Sequence, residues 1–325
     1  MSQSPNPGRV VYAVTSDGGD IHAAMTRLSI ASLRLSNPGC VVAVVCDDRS
    51  HKALAQAGNQ LLVEADEVAG WSTPPGDAQF RNRFLKTTLR QNLTGPFLYL
   101  DSDTFVRGSL TEVFALQADV AGTPNHSMDD GRRQVWQGDR ETLAELGWQT
   151  GPGHYLNAGV VFLNDTAAAR AFAERWHHLW LEACARLGRS RDQPAFNAAL
   201  CATGPALAVL PHRFNAQFCA NPSVARDAVV WHYYGSNQGP SANVLQSAAE
   251  RLALRQERDH SEVLRLAALA LPWRRENWLD GWMLRWVSRK KKLSSSDLLW
   301  LRGRRLESLR QRVGLAPRKT KPGAG

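Results

Sequence analysis

The stretch FLYLDSDTFV, residues 97–106, joins a short apolar run directly to two closely spaced aspartates. An apolar run of this length is typical of a strand that is buried on both faces of a parallel sheet. Asp101 and Asp103 lie two positions apart, and on an extended backbone such residues point to the same side. Two carboxylates that face one point repel each other unless a cation lies between them, and carboxylate oxygens suit Mg²⁺ or Mn²⁺. The segment therefore predicts a divalent-cation site. The alternative is a solvated turn at the end of the strand, in which Asp101 caps the next helix.

The sequence around this stretch alternates between strand-like runs and helical periodicity. We predict strands at 9–15, 41–46, 60–63, 97–100, 120–122, 155–163 and 229–232, and helices at 20–35, 50–57, 79–92, 166–187 and 192–201. This alternation predicts an α/β fold, with a mixed but mainly parallel sheet flanked by helices. Residues 125–153 are polar and without clear periodicity, so they are either a mobile loop over the site or an irregular surface connection.

Polar clusters follow three of the predicted strands. They occupy residues 15–17, 47–48 and 101–103. In open α/β sheets, ligands bind outside the carboxyl ends of the strands. We therefore expect one site at this edge of the sheet.

The composition is that of an ordinary globular protein rather than of a disordered or fibrous chain. Of the 325 residues, 43% are hydrophobic and 21% are charged. No apolar run approaches the roughly 18 residues needed to cross a bilayer, so we expect no membrane span. The N-terminus lacks the features of a secretory signal, and the five scattered cysteines match neither a disulfide framework nor a zinc site. These features predict a cytoplasmic protein.

The basic residues are concentrated towards the C-terminus. The net charge is +9, but residues 245–325 hold 19 lysines and arginines against 8 aspartates and glutamates, whereas the preceding residues are slightly acidic. We therefore divide the chain into a folded domain at 9–240 and a basic, tryptophan-rich helical region at 241–314. Residues 1–8 and 315–325 are predicted to be disordered.

Three tryptophans in the basic region, Trp278, Trp282 and Trp286, are spaced four residues apart and would share one helical face. The run RKKK at 289–292 follows directly. Tryptophan beside lysine and arginine is typical of a helix in a membrane interface, which predicts that residues 273–300 contact an anionic membrane surface. Packing of the tryptophans on the domain or in an oligomer interface is the alternative. No recognition motif supports a nucleic-acid partner.

The chain resembles the retaining glycosyltransferases of family 8, which include glycogenin and bacterial lipopolysaccharide galactosyltransferases. The matching segments occur in the family's order and are AVTSD at 13–17, RFLKTTL at 83–89, FLYLDSDTFV at 97–106, YLNAGVVFLN at 155–164, DQPAFN at 192–197 and HYYG at 232–235. The resemblance covers residues 9–236 and implies the GT-A fold. It also implies that a sugar passes, with retention of configuration, from a UDP-linked donor to a hydroxyl of a glycolipid or cell-surface glycan.

The resemblance further implies roles for individual residues. Mn²⁺ or Mg²⁺ would be held by Asp101, Asp103 and His232. The nucleotide would be bound by Thr15, Ser16, Asp17, Arg83, Lys86, Ser102, Gly235 and Ser236. The donor sugar would contact Asn157, Ala158 and Asp192, and the catalytic residues would be Asp192 and Gln193. Structural roles stay open for some of these: Asp192 precedes Gln193-Pro194 and can cap the predicted helix, and the spacing of Arg83 and Lys86 also suits an exposed helix face.

One departure from the family pattern follows the HYYG segment. The family has a lysine a few residues later that contacts the donor phosphate, whereas this chain reads SNQGP at 236–240. A neutral hydrogen bond from this segment would lack the strength of a charge-assisted one. Two alternatives to an active glycosyltransferase stay open: a nucleotidyltransferase of similar fold, and an inactive glycosyltransferase-like protein tethered to the inner face of a membrane. The sequence does not indicate the oligomeric state.

Overall fold

The computed structural model describes residues 8–125, 135–151, 153–218, 222–234, 244–255 and 261–272. Its strands are β1 (Arg9–Val14), β2 (Val41–Asp47), β3 (Glu67–Trp71), β4 (Phe97–Leu100), β5 (Thr104–Val106), β6 (Val120–Pro124), β7 (Leu156–Leu163), β8 (Leu207–Val209) and β9 (Val230–His232). Its helices are α1 (Ile21–Ser36), α2 (Asp48–Gln56), α3 (Leu61–Glu64), α4 (Ala78–Asn92), α5 (Thr111–Phe114), α6 (Gln137–Leu146), α7 (Ala167–Leu187), α8 (Gln193–Thr203), α9 (Val244–Arg255) and α10 (Ser261–Ala267).

Seven of these strands form one sheet in the order β3-β2-β1-β4-β7-β6-β8. The pairs β1–β2, β2–β3, β1–β4 and β6–β8 are parallel, whereas β7 is antiparallel to both β4 and β6. Every residue of β4 and β7 is buried, as expected for strands covered on both faces. The predicted α/β fold with a mixed, mainly parallel sheet is therefore confirmed.

Helices cover both faces of this sheet. On one face, α7 and α8 pack an aromatic cluster in which Phe196 meets Phe172 and Trp176 edge-to-face, with ring centroids 5.3 and 5.0 Å apart. On the other face, α1 begins at Asp20, whose carboxylate accepts hydrogen bonds from the backbone N–H groups of His22 and Ala23. The core thus holds β4 rigidly between two helical layers, with the acidic segment emerging from its end.

A separate two-stranded antiparallel ribbon joins β5 to β9. Its register sets Thr104 opposite His232, and the backbone N–H of Tyr233 donates to the carbonyl of Asp103 at 2.8 Å. The ribbon therefore brings a histidine from late in the chain beside the acidic segment that precedes β5.

The structure corrects the prediction of a strand at 60–63. Residues Leu61–Glu64 form helix α3, and the strand is β3, at Glu67–Trp71. The side chain of Asn59 accepts a hydrogen bond from the Leu61 backbone N–H, which starts the helical turn. Leu61 is buried whereas Val63 is 60% exposed, so the apolar run packs on one side only. Periodicity alone does not separate a strand from a helical turn in so short a run.

The prediction of an irregular segment at 125–153 is also wrong in part. Helix α6 occupies Gln137–Leu146 and ends at Gly147, whose positive φ of 67° suits glycine at a helix C-terminus. Asp139, Thr142 and Leu143 are buried, and two of these three are polar. A buried face made largely of polar residues has no apolar periodicity, which is why the pattern did not indicate a helix.

The ends of the chain lie largely outside the described residues. These include residues 1–7 and 315–325, predicted to be disordered, and residues 273–300, predicted to contact a membrane. Within the basic region, α9 and α10 share a core with α1, in which Leu245 and Leu266 are fully buried. In the part of the chain that the structure describes, no helix is both long and apolar enough to span a membrane.

Substitution of Phe196 tests the core that supports α8. Phe196→Ala is expected to lower the free energy of unfolding by about 3–5 kcal/mol, because it leaves a cavity where a fully buried ring packs. Chemical denaturation followed by tryptophan fluorescence measures this change. The matched control Leu35→Ala removes a side chain that is 55% exposed and is expected to change stability by no more than about 0.5 kcal/mol. Equal effects of the two substitutions would contradict the assigned core.

Candidate active site

The two aspartates that follow β4 lie beside His232, the last residue of β9. The backbone N–H of Asp101 donates to the carbonyl of Gly159 on β7 at 2.8 Å, which fixes the start of the acidic segment. His232 Nε2 lies 3.2 Å from Asp103 Oδ1 and 3.9 Å from Asp101 Oδ2. One ligand atom from each of the three side chains lies within 4.8 Å of the others. The three residues, here called the Asp-Asp-His cluster, are therefore close enough to share one cation.

Hydrogen bonds from the backbone of β7 determine which nitrogen of His232 carries the proton. The Gly159 backbone N–H donates to Asn157 Oδ1 at 2.9 Å, so Asn215 Nδ2, which is 3.0 Å from the same oxygen, donates as well. Asn215 Oδ1 then faces His232 Nδ1 at 2.8 Å and accepts its N–H. The network therefore assigns a proton to Nδ1, and in the tautomer that carries only this proton, Nε2 presents its lone pair to the two aspartates.

His232 has the surroundings of a metal ligand. Its side chain is 2% exposed, and Nε2 has no hydrogen-bond partner among the described residues, since Asp103 Oδ1, though near, lies outside hydrogen-bond geometry. A buried polar atom without a partner is unfavourable. A divalent cation between Nε2 and the two carboxylates would satisfy it, and an imidazole oriented by a hydrogen bond to its other nitrogen is the usual arrangement for a ligating histidine. These residues therefore fit Mn²⁺ or Mg²⁺.

Gly159 on β7 forms the wall against which this cluster packs. A Cβ atom at this position would lie 2.4 Å from His232 Cε1 and 2.6 Å from Asp101 Oδ2. Both distances are below van der Waals contact, and both neighbours are held by hydrogen bonds. The absence of a side chain at Gly159 is thus what allows the imidazole and the carboxylate to meet.

A buried lysine connects the cluster to the segment that precedes α8. Lys86 is 2% exposed, and its Nζ lies 3.3 Å from Asp101 Oδ1 and 2.9 Å from Asp192 Oδ2. Arg83 Nε lies 3.1 Å from Asp192 Oδ1. Asp192 occupies the N-cap position of α8, but its side chain caps no backbone N–H of that helix. Lys86 is likewise not on an exposed helix face; it neutralises two carboxylates.

The neighbouring charges control protonation in the cluster. Burial acts to raise the pKa of Asp103, whereas a backbone hydrogen bond and the positive charge of the nearby Arg83 act to lower it. Burial, followed by the charge of Asp101, raises the pKa of Tyr99 well above its ordinary value. Tyr99 therefore stays a neutral donor, and its hydroxyl donates to Asp101 Oδ1 at 2.6 Å.

A cleft of about 630 Å³ opens above the acidic segment. Among the predicted nucleotide-binding residues, Thr15, Arg83 and Ser102 line it, together with Asp101 and Asp103. Ser16 and Asp17 do not line this cleft. The buried Ser16 hydroxyl accepts from the Gly18 backbone N–H, and Asp17 is exposed. Gly235 and Ser236, also predicted to bind the nucleotide, lie outside the described residues.

The residues predicted to meet the donor sugar form a connected group next to the cluster. Asn157 Nδ2 donates to Gln193 Oε1 at 3.1 Å, and the Ala158 backbone N–H lies 3.4 Å from the same oxygen. Because Asn157 Oδ1 is already turned towards Gly159 and Asn215, one amide side chain links the histidine to the glutamine. Tertiary packing thus joins motifs that lie far apart in the sequence.

Several residues of the site carry no signal that the sequence analysis could use. These are Asn215, Tyr99, Gly159, Asp139, and the cleft-lining residues His22 and Gln246. Asn215 is a buried polar residue in an irregular segment, and only its contact with His232 identifies it. Tyr99 belongs to an apolar strand, and a tyrosine there is typical of core packing.

Comparisons with known proteins agree with the fold. Residues 93–238 match the family model described as Glycosyl transferase family 8. The chain superposes on galactosyltransferase LgtC, solved in complex with donor and acceptor sugar analogues, with a TM-score of 0.53 and 19% identity over 76% of this chain and 95% of that one. It superposes on the bifunctional glycosyltransferase WbbM with a TM-score of 0.50 and 12% identity over 82% of this chain and 52% of that one. At such identities the superpositions show a shared fold. No curated protein sequence matches the chain.

Filling the space at Gly159 tests whether the cluster holds a cation. Gly159→Ala is expected to abolish Mn²⁺ binding, because the new methyl group occupies the space of the His232 ring and the Asp101 carboxylate. Isothermal titration calorimetry measures the affinity, and the rise in Tm on adding Mn²⁺ gives a second readout. The control Gly153→Ala adds a methyl group with no atom within 4 Å and is expected to bind Mn²⁺ like the wild type. An unchanged affinity in a folded Gly159→Ala protein would refute the cation site.

Proposed function

We propose that this chain, in which residues 93–238 match the model of glycosyltransferase family 8, transfers a sugar from a UDP-linked donor to a hydroxyl of a glycan or glycolipid acceptor. The family match favours glycosyl transfer over nucleotidyl transfer. The observation that carries the proposal is the Asp-Asp-His cluster beneath the cleft, in which a buried imidazole nitrogen lacks a hydrogen-bond partner among the described residues.

Asp101, Asp103 and His232 would hold Mn²⁺ or Mg²⁺, which supplies positive charge to the diphosphate as the sugar–phosphate bond breaks. Tyr99 and Lys86 hold one oxygen of Asp101, Oδ1, while Asp101 Oδ2 faces His232. This division leaves one carboxylate oxygen available for the cation.

The nucleotide part of the donor would lie in the cleft. Thr15 and Ser102 offer hydroxyl groups for the nucleoside, and Arg83 offers a partly exposed guanidinium for the diphosphate. Lys86 acts on the nucleotide indirectly, because its ammonium is already occupied by Asp101 and Asp192. The roles of Ser16, Asp17, Gly235 and Ser236 stay predictions from the sequence.

The donor sugar would lie against Asn157, Ala158 and Asp192, with Gln193 beside its anomeric carbon. A sugar that leaves its phosphate acquires positive charge near this carbon. The Gln193 carbonyl oxygen would stabilise that charge from one face, and retention of configuration follows the family resemblance. LgtC was solved with donor and acceptor sugar analogues, which supports a site for both substrates here.

The acceptor we propose is a glycolipid or a membrane-linked glycan, met by a protein that binds the cytoplasmic face of an anionic membrane. The support is the sequence of residues 273–300, where tryptophans at helical spacing precede the run RKKK. Each basic residue near an anionic surface contributes about 1 kcal/mol of binding.

Turnover of nucleotide sugars tests the proposed reaction. With Mn²⁺ present, a panel of UDP-sugars is expected to include at least one that the protein hydrolyses slowly to UDP. Asp103→Asn is expected to lower kcat at least about 100-fold, because it removes a charge that the cation needs. The control Asp227→Asn, which neutralises an exposed carboxylate, is expected to retain wild-type turnover. Turnover that survives both EDTA and Asp103→Asn would contradict the metal-dependent reaction.

Liposome binding tests the membrane proposal separately. A full-length variant in which Arg289, Lys290, Lys291 and Lys292 are all changed to glutamine is expected to lose sedimentation with anionic liposomes, because the surface attraction is electrostatic. Wild-type binding is expected to weaken with added salt and to be absent on neutral liposomes. Equal sedimentation of variant and wild type would refute the role of this run.

A further inference from the structure

Asp139 is a carboxylate with no exposed surface, in the first turn of α6 behind Gln193. Its Oδ2 atom accepts two hydrogen bonds, from the Tyr155 hydroxyl at 3.0 Å and from Gln193 Nε2 at 3.1 Å. Its Oδ1 atom lies 3.1 Å from Arg191 Nε, an ion pair without hydrogen-bond geometry. A buried carboxylate is thus placed directly against the amide of the proposed catalytic residue.

This contact decides which way the Gln193 amide faces. A carboxylate oxygen accepts hydrogen bonds, so the atom of Gln193 that meets Asp139 is the NH₂ group. The carbonyl oxygen is then turned to the opposite side, where the Asn157 amide donates to it at 3.1 Å and the Ala158 backbone N–H lies at 3.4 Å. Both ends of the amide are therefore held. Rotation by 180° would turn the NH₂ group towards the donors of Asn157 and Ala158, and the carbonyl oxygen towards the carboxylate of Asp139.

We propose that Asp139 is a positioning residue for the transfer step, one that holds the Gln193 amide with its carbonyl oxygen towards the donor sugar. The inference rests on the proposed function, since the direction of this oxygen matters only if a sugar is bound beside Asn157. The hydrogen bond from Nε2 to a carboxylate also polarises the amide, which increases the negative charge on Oε1 where positive charge develops in the sugar.

The burial of a charge at this position supports a role beyond packing. An ionised carboxylate away from water is unfavourable unless it is paired and hydrogen-bonded, and replacing such groups by apolar ones often stabilises a protein. Arg191, which pairs with Asp139, is half exposed, so its charge is partly screened by water. In agreement, burial raises the pKa of Asp139 above its ordinary value. The structure thus places at this position a carboxylate whose burial is unfavourable and whose hydrogen bond orients a neighbour.

A double-mutant cycle on the full chain tests the proposal. Turnover of the UDP-sugar in the presence of Mn²⁺ is measured for the wild type, Asp139→Asn, Gln193→Ala and the double variant. Asp139→Asn is expected to lower kcat at least about tenfold while KM changes less than about threefold, because the amide is misdirected and the donor site is intact. In the Gln193→Ala background the same substitution is expected to have no further effect on kcat.

Tyr155→Phe is the matched control, because it removes the other hydrogen bond to the same oxygen, Oδ2, and leaves the Gln193 contact. It is expected to leave kcat within about twofold of the wild type. Losses in kcat that add up in the double variant would overturn the positioning role and assign Asp139 to stability alone. A slow Gln193→Ala variant beside a fully active Asp139→Asn variant would overturn this inference and leave the proposed function standing.

A second measurement does not depend on turnover. In the full chain labelled with ¹⁵N, the side-chain NH₂ group of Gln193 is expected to be protected from hydrogen exchange, and Asp139→Asn is expected to shift its resonances and reduce that protection. Unchanged resonances and protection would overturn the proposal even in a protein that turns over no UDP-sugar. The absence of UDP-sugar turnover would contradict the proposed function and would not bear on the resonances.

Discussion

The site depends on one hydrogen bond within β7, from the backbone N–H of Gly159 to the side-chain oxygen of Asn157. A backbone N–H can only donate, so this bond fixes the direction of the Asn157 amide. One end of that amide then orients Asn215, and through it His232, while the other end donates to Gln193. The proton on Nδ1 of the imidazole is thus set from one point of the main chain, and the same point orients the donor that meets Gln193 Oε1, while Asp139 holds the other end of the Gln193 amide. Rigid placement of this kind is what a site needs if its groups are to stabilise charge without reorganising.

Gly159 contributes to the same site because it has no side chain. His232 and Asp101 approach each other in the space that a Cβ atom at this position would occupy. β7 is antiparallel to β4, and Leu100 pairs with Val160, so Gly159 lies beside the residue at which the acidic segment begins. The antiparallel strand within a mainly parallel sheet is therefore the element that supplies both the hydrogen bond and the space.

The site brings four aspartates close to three cationic side chains, and all of them are at least partly buried. Asp101, Asp103, Asp139 and Asp192 lie near three cationic side chains, Lys86, Arg83 and Arg191, so the carboxylates outnumber the cations by one. Lys86 neutralises one carboxylate of the cluster and one beside Gln193, so the two parts of the site are coupled electrostatically. The arrangement suits a dication, because two carboxylates face an imidazole nitrogen that has no hydrogen-bond partner among the described residues.

Local sequence was sufficient to predict most of the fold and part of the site. Apolar runs predicted β1, β2, β4 and β7, and long periodic segments predicted the four helices α1, α4, α7 and α8, all within a few residues. The sequence pattern failed at 60–63, where the apolar run is short, and over α6, where the buried face is polar. Neither kind of segment has a distinctive period. The pair Asp101 and Asp103 was recognisable because a strand places both carboxylates on one side.

What only the tertiary structure decided is which distant groups meet. Asp139 and Asn215 are polar residues in weakly patterned segments, and nothing local distinguishes them from surface residues. Their partners come from β7, α8 and β9, and a hydrogen bond between residues far apart in the chain leaves no periodic trace in either segment. The sequence by itself determined the α/β architecture and the acidic motif, because both follow from backbone geometry over a few residues. Only the folded chain determined the partner of each side chain, because that depends on how the sheet and its helices pack.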